Sequence, residues 1–321
     1  MKIAIIDCGT NTFNLLVLDI SSGGLDKQLL STRESVKLGE GAINSGYIAK
    51  PAFERAVQAF QLFHEAIQSL EVDKVLAYAT SAVRDASNGW QLVAGIKEKF
   101  GITIEIINGL DEAKLIFLGV NAAVKLNEQV SLMMDIGGGS VEFILANKSG
   151  LLWKESFNIG VARILEQVKP SDPICDAEIS MVREFLNNNL RQLSEAVKQF
   201  KPTELIGSSG VFESLVNMLA AKNLSEPITD QQTEYPLNCE HYFSMSNEII
   251  HATLGQRRVM PGLVSMRVDM IVISCLMLNF VLEEYHLKHM RVSTYSLKEG
   301  AVINFINALN TTNNHGKNIG D

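Results

Sequence analysis

Apolar residues along this chain fall into short blocks whose period changes in a fixed order, and that order occurs twice. From Lys2 to about Arg33, IAIID, FNLLVLDI and LDKQLLSTRES read as three strands with tight connections, and Ser-Ser-Gly-Gly at 21–24 is a hairpin signal. Pro51 then opens AFERAVQAFQLFHEAIQSL, whose apolar residues recur at helical spacing. KVLAYAT predicts a buried strand, GWQLVAGIKEKFG a helix closed by glycine, ITIEIIN another strand and DEAKLIFLGVNAAVKL a helix. At Ser131 the order restarts. SLMMDIG, VEFILANK and LLWKESFNI predict three strands, followed by helices through about Phe200, the strand ELIGSS and a helix from Val211. A long helical region is predicted over roughly 244–284, then the strand MRVSTYS and a final helix, LKEGAVINFINALN. The pattern predicts an α/β protein of two similar lobes over a cleft, residues 1–128 and 129–296. Residues 297–310 are expected to pack back on the first lobe, and 311–321 to form a polar, frayed tail.

Each lobe also begins with the same turn. KIAIIDCGTNTFN from Lys2 and SLMMDIGGGSVEF from Ser131 each run into Asp-x-Gly, pass through small polar or glycine residues, and resume as an apolar run. Their separation is too long for tandem solenoid repeats and suits two similar domains. A strand–turn–strand tip of this composition can aim several backbone N–H groups at one point, with the hydroxyls of Thr10, Thr12 or Ser140 as further donors. Such nests bind phosphate oxygens. One copy alone could be an ordinary glycine hairpin; two copies, each led by an aspartate at a strand end, weaken that reading. Asp135 and Glu142 place acidic oxygens near the second turn, suited to a hard cation such as Mg²⁺ that keeps several waters. No G-x-x-x-x-G-K-[ST] loop or G-x-G-x-x-G fingerprint competes.

With 321 residues and 46% hydrophobic content the chain can build two cores. The formal net charge of −8 argues against bulk binding of nucleic acid or an anionic membrane, so any polyanion must be held by a local basic cluster or a metal ion. The uncharged run from Met270 to Leu282 falls short of the ~20 residues that span a bilayer and reads as a buried helix. The apolar start is interrupted at Asp7 before a signal segment could form, which predicts a cytoplasmic protein. The four cysteines lack C-x-x-C spacing, and Cys8 reads as a small buried filler. His286 and His289 could share a helix face, yet read as solvated.

The blocks DCGTNTFN, RESVKLGEG from Arg33, ATSAVRDASN from Ala79, GLDEAKLIFLG from Gly109, DIGGGSVE from Asp135 and NIGVARILE from Asn158 together resemble the exopolyphosphatase and guanosine pentaphosphate phosphohydrolase (Ppx/GppA) family, in its short two-domain form. That family lies within the actin, hexokinase and Hsp70-like superfamily, so the resemblance implies two ribonuclease H-like lobes. It further implies that Thr10, Asn11, Thr12, Gly137, Gly138, Gly139 and Ser140 grip phosphate, and that Arg33 and Arg84 face the cleft, where a guanidinium fork can take a phosphate bidentately. Asp135 and Glu142 would hold Mg²⁺. Glu112 occupies the family's catalytic glutamate position, with Asp111 where a second glutamate is usual; sequence does not decide which is nearer the water, and an acidic first turn also suits the helix dipole. Toward the C-terminus the match weakens. Val211 replaces a threonine, and Ser296 and Lys298 stand for glycine and arginine. Arg267 and Asp269 fit an Arg-x-Asp pattern, either as an ion pair or as a substrate contact.

The implied reaction is Mg²⁺-dependent hydrolysis of a terminal phosphoanhydride, on inorganic polyphosphate or guanosine pentaphosphate, which share that terminal group. A sugar or acetate kinase would use the same lobes but leave the Arg33, Arg84 and Glu112 blocks unexplained. A non-catalytic alarmone-binding protein is favoured by the Val211 and Lys298 departures. Expected partners are the phosphate substrate and a second subunit in a homodimer, with no nucleic acid and no membrane. Because the sequence stops at Asp321 and is acidic, short-chain or distributive action on polyphosphate is expected, unless a dimer rebuilds a basic groove.

Overall fold

The computed structural model describes residues 1–21, 24–25 and 27–317. The turn expected at 21–24 therefore falls partly outside the described residues. The first lobe runs β1 (Lys2–Cys8), β2 (Thr12–Asp19), β3 (Gln28–Ser35), α1 (Lys50–Ser69), β4 (Lys74–Ala79), α2 (Ser81–Arg84), α3 (Gly89–Phe100), β5 (Ile104–Ile106) and α4 (Gly109–Ala123). The second runs β6 (Ser131–Ile136), β7 (Val141–Asn147), β8 (Gly150–Phe157), α5 (Val161–Val168), α6 (Asp176–Asn189), α7 (Arg191–Phe200), β9 (Glu204–Ser208), α8 (Gly210–Ala221), β10 (Glu234–Leu237), α9 (Cys239–His251), α10 (Leu254–Arg258), α11 (Ile271–Glu284) and β11 (Met290–Ser293), and α12 (Leu297–Lys317) follows.

The sheets have the orders β3-β2-β1-β4-β5 and β10-β11-β9-β6-β7-β8. In each, an antiparallel three-strand meander continues into parallel strands laid beside its first strand: β4 along β1, and β9 along β6. This is the ribonuclease H-like topology, present twice. β1 and β6 are interior strands, and β6 is buried along its whole length, which is why both read as continuous apolar runs.

Apolar side chains form three layers. Two lie on the outer faces of the sheets, under α1 and α3 in the first lobe and under α5 to α9 and α11 in the second. The third lies between the sheets, where α4 and α12 pack against Ile3, Ile5 and Leu16 on one side and Met133, Ile144 and Ile206 on the other. The two helices cross at glycines: a Cβ on Gly119 would lie 2.0 Å from the Ser296 carbonyl oxygen, and one on Gly300 would lie 1.7 Å from that of Leu115.

Two expectations need correction, and one strand was not expected. The helical region expected over 244–284 is three helices and a short 3₁₀ turn at Ser265–Arg267, because Pro261 lacks an N–H and Gly262 sits at φ +83°. β10 contains Pro236 and reads poorly as a strand; it survives as an edge, where a missing donor costs little. The tail begins as helix, since α12 continues to Lys317. The run from Met270 is indeed a buried helix, α11, and His286 and His289 lie beyond its end, exposed. No helix among the described residues is long and apolar enough to cross a membrane.

Candidate active site

The two Asp-x-Gly turns face each other across the cleft. In the first, Gly9 N–H donates to the Thr12 carbonyl at 3.2 Å, and the strap after β3 covers the outward carbonyls: Val36 and Lys37 N–H donate to Asn11 and Leu38 N–H to Thr10. In the second, Gly137 N–H donates to Ser140, while the start of α5 takes the carbonyls through the N–H groups of Gly160, Val161 and Ala162. The N–H groups of Gly138, Gly139 and Ser140 have no protein acceptor among the described residues, the condition for a phosphate nest. The glycines are required by close approach: a Cβ on Gly138 would lie 2.2 Å from Asn11 Nδ2, and one on Gly139 would lie 2.5 Å from Ser81 Oγ and 2.7 Å from Thr10 Oγ1.

Four carboxylates converge beneath these turns. Asp7 accepts from Asn14 Nδ2 at 3.0 Å, its neighbour across β1 and β2. In the second sheet the corresponding register pairs Asp135 with Glu142. Asp135 accepts from Ser208 Oγ at 2.6 Å and Ser296 Oγ at 2.5 Å, and Glu142 from Ser156 Oγ at 2.6 Å. Glu112, on the first turn of α4, is buried and accepts from Arg84 Nη1 at 3.0 Å. Asp111 is exposed, held outward by the helix cap: its N–H donates to Asn108 Oδ1 at 2.9 Å. Of the two acids the sequence left open, Glu112 is the one buried against Arg84, while Asp111 lines the open cavity beside it.

Burial pushes all four carboxyls upward, Asp7 to about 6 and Glu142 to about 7, and Asp135 and Glu112 in the same direction; the charge of Glu142 adds to the rise at Glu112. Arg84 and Lys298 offset only part of this negative charge. Such a hard-oxygen site fits a divalent cation. Among the described residues no three His, Cys, Asp or Glu side chains are grouped closely enough to cage an ion, so the match is to a cation held by one or two carboxylates and otherwise by water and substrate oxygens.

A stability test follows. Each folded pKa lies above its unfolded value, so between about pH 4 and 7 the cation-free folded state binds more protons than the unfolded chain, and stability falls as pH rises through that window. A bound cation replaces those protons. The gain in Tm from saturating Mg²⁺ over EDTA should exceed that at pH 5.5 by about 2–4 °C or more at pH 8, corresponding to ~1 kcal/mol in a chain of this size. An equal gain at both pH values would place the ion away from these carboxylates.

The other candidates are distributed around this centre. Thr12 and Asn11 lie at the first turn. Arg33, on β3, lies 3.7 Å from Glu213 of α8 across the cleft and is about half exposed. Arg267 does not pair with Asp269, which instead meets Lys37 at 3.1 Å. The Arg267 guanidinium covers Gly210, and its Nε is buried with no hydrogen-bond partner among the described residues. Lys298 is held charged chiefly by Glu299, 3.7 Å away. Val211 turns into the second core, so the departure there is a packing one. A cavity of about 520 Å³ opens beside Arg84, between the start of α4 and Lys154, Ser156 and Asn158. Sequence reading missed the supporting roles of Asn14, Ser156, Ser208 and Ser296; only the parallel between the Asp7–Asn14 and Asp135–Glu142 registers could have suggested the first.

Comparison with known proteins finds relatives that span nearly the whole chain. The signature described as the Ppx/GppA phosphatase family matches residues 16–308. An exopolyphosphatase from Cytophaga hutchinsonii with a known crystal structure is 36% identical, with a TM-score of 0.93 over 96% of this chain and 98% of its own. Exopolyphosphatase 1 of Mycobacterium leprae is 26% identical over 305 residues, 94% of this chain and 89% of the relative. A Ppx/GppA family member from Aquifex aeolicus, 23% identical with a TM-score of 0.78, shares the fold.

Proposed function

Because this chain belongs to the Ppx/GppA phosphatase family, a family of phosphoanhydride hydrolases, we propose that it removes the terminal phosphate of inorganic polyphosphate, with Mg²⁺ as cofactor. The observation that carries this reading is the buried Glu112–Arg84 pair beneath two facing turns, the second of which presents the N–H groups of Gly138, Gly139 and Ser140. The named relatives are exopolyphosphatases, which favours polyphosphate over guanosine pentaphosphate.

In this reading the N–H groups of Gly138, Gly139 and Ser140, with the first turn at Thr10, Asn11 and Thr12, hold the terminal phosphoryl oxygens. Arg84 and Arg33 supply guanidinium donors to the charge that spreads over those oxygens during transfer. Asp135 and Glu142 would hold Mg²⁺, which when bound supplies positive charge to phosphate oxygens. Water attacks the terminal phosphorus, the bridging oxygen departs with the bonding pair on the shortened chain, and Glu112 accepts the proton that the water loses. A raised carboxyl is well matched to that task, since a base works best when its pKa lies near the operating pH. Arg84 both orients Glu112 and limits how far its pKa rises.

The test is a Mg²⁺-dependent phosphate-release screen across polyphosphate lengths and guanosine tetra- and pentaphosphate. Release from polyphosphate, with Asp135→Asn and Glu142→Gln needing more Mg²⁺ for half-maximal rate, supports the reading. ADP formation from ATP with a sugar or acetate, and no phosphate from polyphosphate, would replace it with a kinase.

A further inference from the structure

The segment NIGVARILE builds the start of α5, and its arginine belongs to none of the groups assigned so far. Arg163 stands on the second lobe with 13% of its side chain exposed. Its Nε donates to the Gly139 carbonyl at 2.7 Å, fixing the second glycine turn from behind. Its Nη2 crosses to the first lobe, donating to Ser81 Oγ at 3.3 Å and pairing with Asp85. Asp85 in turn lies 3.4 Å from Arg84 Nε, and Arg84 Nη1 lies 3.0 Å from Glu112. Asn44 of the first lobe grips α5 as well: its N–H donates to Glu166 Oε2 and its Nδ2 to the Arg163 carbonyl, both at 3.1 Å.

We propose that Arg163 and Asp85 form an interlobe clasp that sets Arg84 and the second glycine turn for phosphoryl transfer, acting as positioning residues. The inference rests on the hydrolase reading of the site. Charge alternates along the line Arg163, Asp85, Arg84, Glu112. With the clasp made, the Asp85 carboxylate is shared between two guanidinium groups. Without Arg163 its one remaining guanidinium is that of Arg84, beside the neutral Ser81 hydroxyl at 3.2 Å, and it draws that fork away from Glu112 and the phosphate. The same loss leaves the Gly139 carbonyl held by the Gly160 N–H alone, at 3.2 Å, and so loosens the turn whose donors face the site. Neither residue has to touch a reacting atom to matter, because a misplacement of ~1 Å in a positioned group can cost about 10²-fold in rate.

The experiment compares wild type, Arg163→Gln, Asp85→Asn and the double variant in steady-state phosphate release. Each single change should lower kcat by about 10²-fold, with KM altered by less than about threefold, since the lost interactions serve the transition state more than binding. The double variant should be no slower than the worse single, the signature of residues acting as one unit. Arg163→Lys keeps the charge but not the fork and should fall between wild type and Arg163→Gln. Wild-type kcat in Arg163→Gln, or losses that multiply in the double variant, would overturn the clasp. Asp85→Asn is nearly isosteric and keeps the test open if Arg163→Gln does not fold. If wild type itself releases no phosphate, the hydrolase reading fails. The same four proteins then decide the clasp by thermal unfolding: non-additive Tm losses support it and additive ones overturn it.

Discussion

Replacing Glu112 by glutamine is expected to lower kcat by roughly 10²–10⁴-fold while leaving KM within a few-fold of wild type. The amide keeps the shape of the carboxylate and an oxygen for Arg84 Nη1, so the first turn of α4 should hold its place. What disappears is the proton acceptor. The companion change Asp111→Asn should cost much less, because Asp111 is exposed and engaged with the Asn108 cap. Rate constants measured for both variants under saturating Mg²⁺ decide the matter: an equal loss at Asp111, or a normal kcat in Glu112→Gln, removes Glu112 from the reaction.

Gly300→Ala is expected to destabilise the protein by about 2–4 kcal/mol, a fall in Tm of roughly 5 °C or more. Two effects oppose each other. Alanine favours a helix over glycine by ~1 kcal/mol, but the new methyl group would stand 1.7 Å from the Leu115 carbonyl oxygen and 2.9 Å from Gly119 N. Those are backbone atoms of a packed helix and cannot swing aside, so the steric cost wins. Gly95→Ala is the control, since a Cβ there meets nothing within 4 Å on α3 and should stabilise slightly. Thermal melts of both variants test the crossing, and a Gly300→Ala protein as stable as wild type would show that α4 and α12 can separate freely. Because α4 also carries Glu112, a loss of kcat should accompany the loss of stability.

Much of this arrangement was legible in the sequence because it is local. The paired meanders follow from apolar runs ending at Asp7 and Asp135, and the start of α1 from Pro51. The nests follow from glycines that nothing larger can replace. Where sequence reading stopped, the missing information was long-range. Asp111 and Glu112 are adjacent and both acidic; only the cap at Asn108 and the packing of α4 decide which one is buried against Arg84. Asp269 sits two residues from Arg267, yet its partner is Lys37, on the opposite lobe. Ser296 registered only as a departure from glycine, although it hydrogen-bonds Asp135. Arg163 lies on an ordinary amphipathic segment, and nothing in that segment's spacing announces that its guanidinium ends on the other lobe.

The layer between the sheets bears on the order in which the chain can complete itself. Ile3 and Ile5 of β1 share that layer with Ala301 and Val302 of α12, far later in the chain. Contacts of such sequence separation are closed late, since the loop entropy must be met before they contribute. Until Leu297, Ala301 and Val302 arrive, the inner faces of both sheets lack one of their two covering helices. Neither lobe is thus a self-sufficient folding unit, and the nascent chain carries an uncovered apolar surface until α12 emerges.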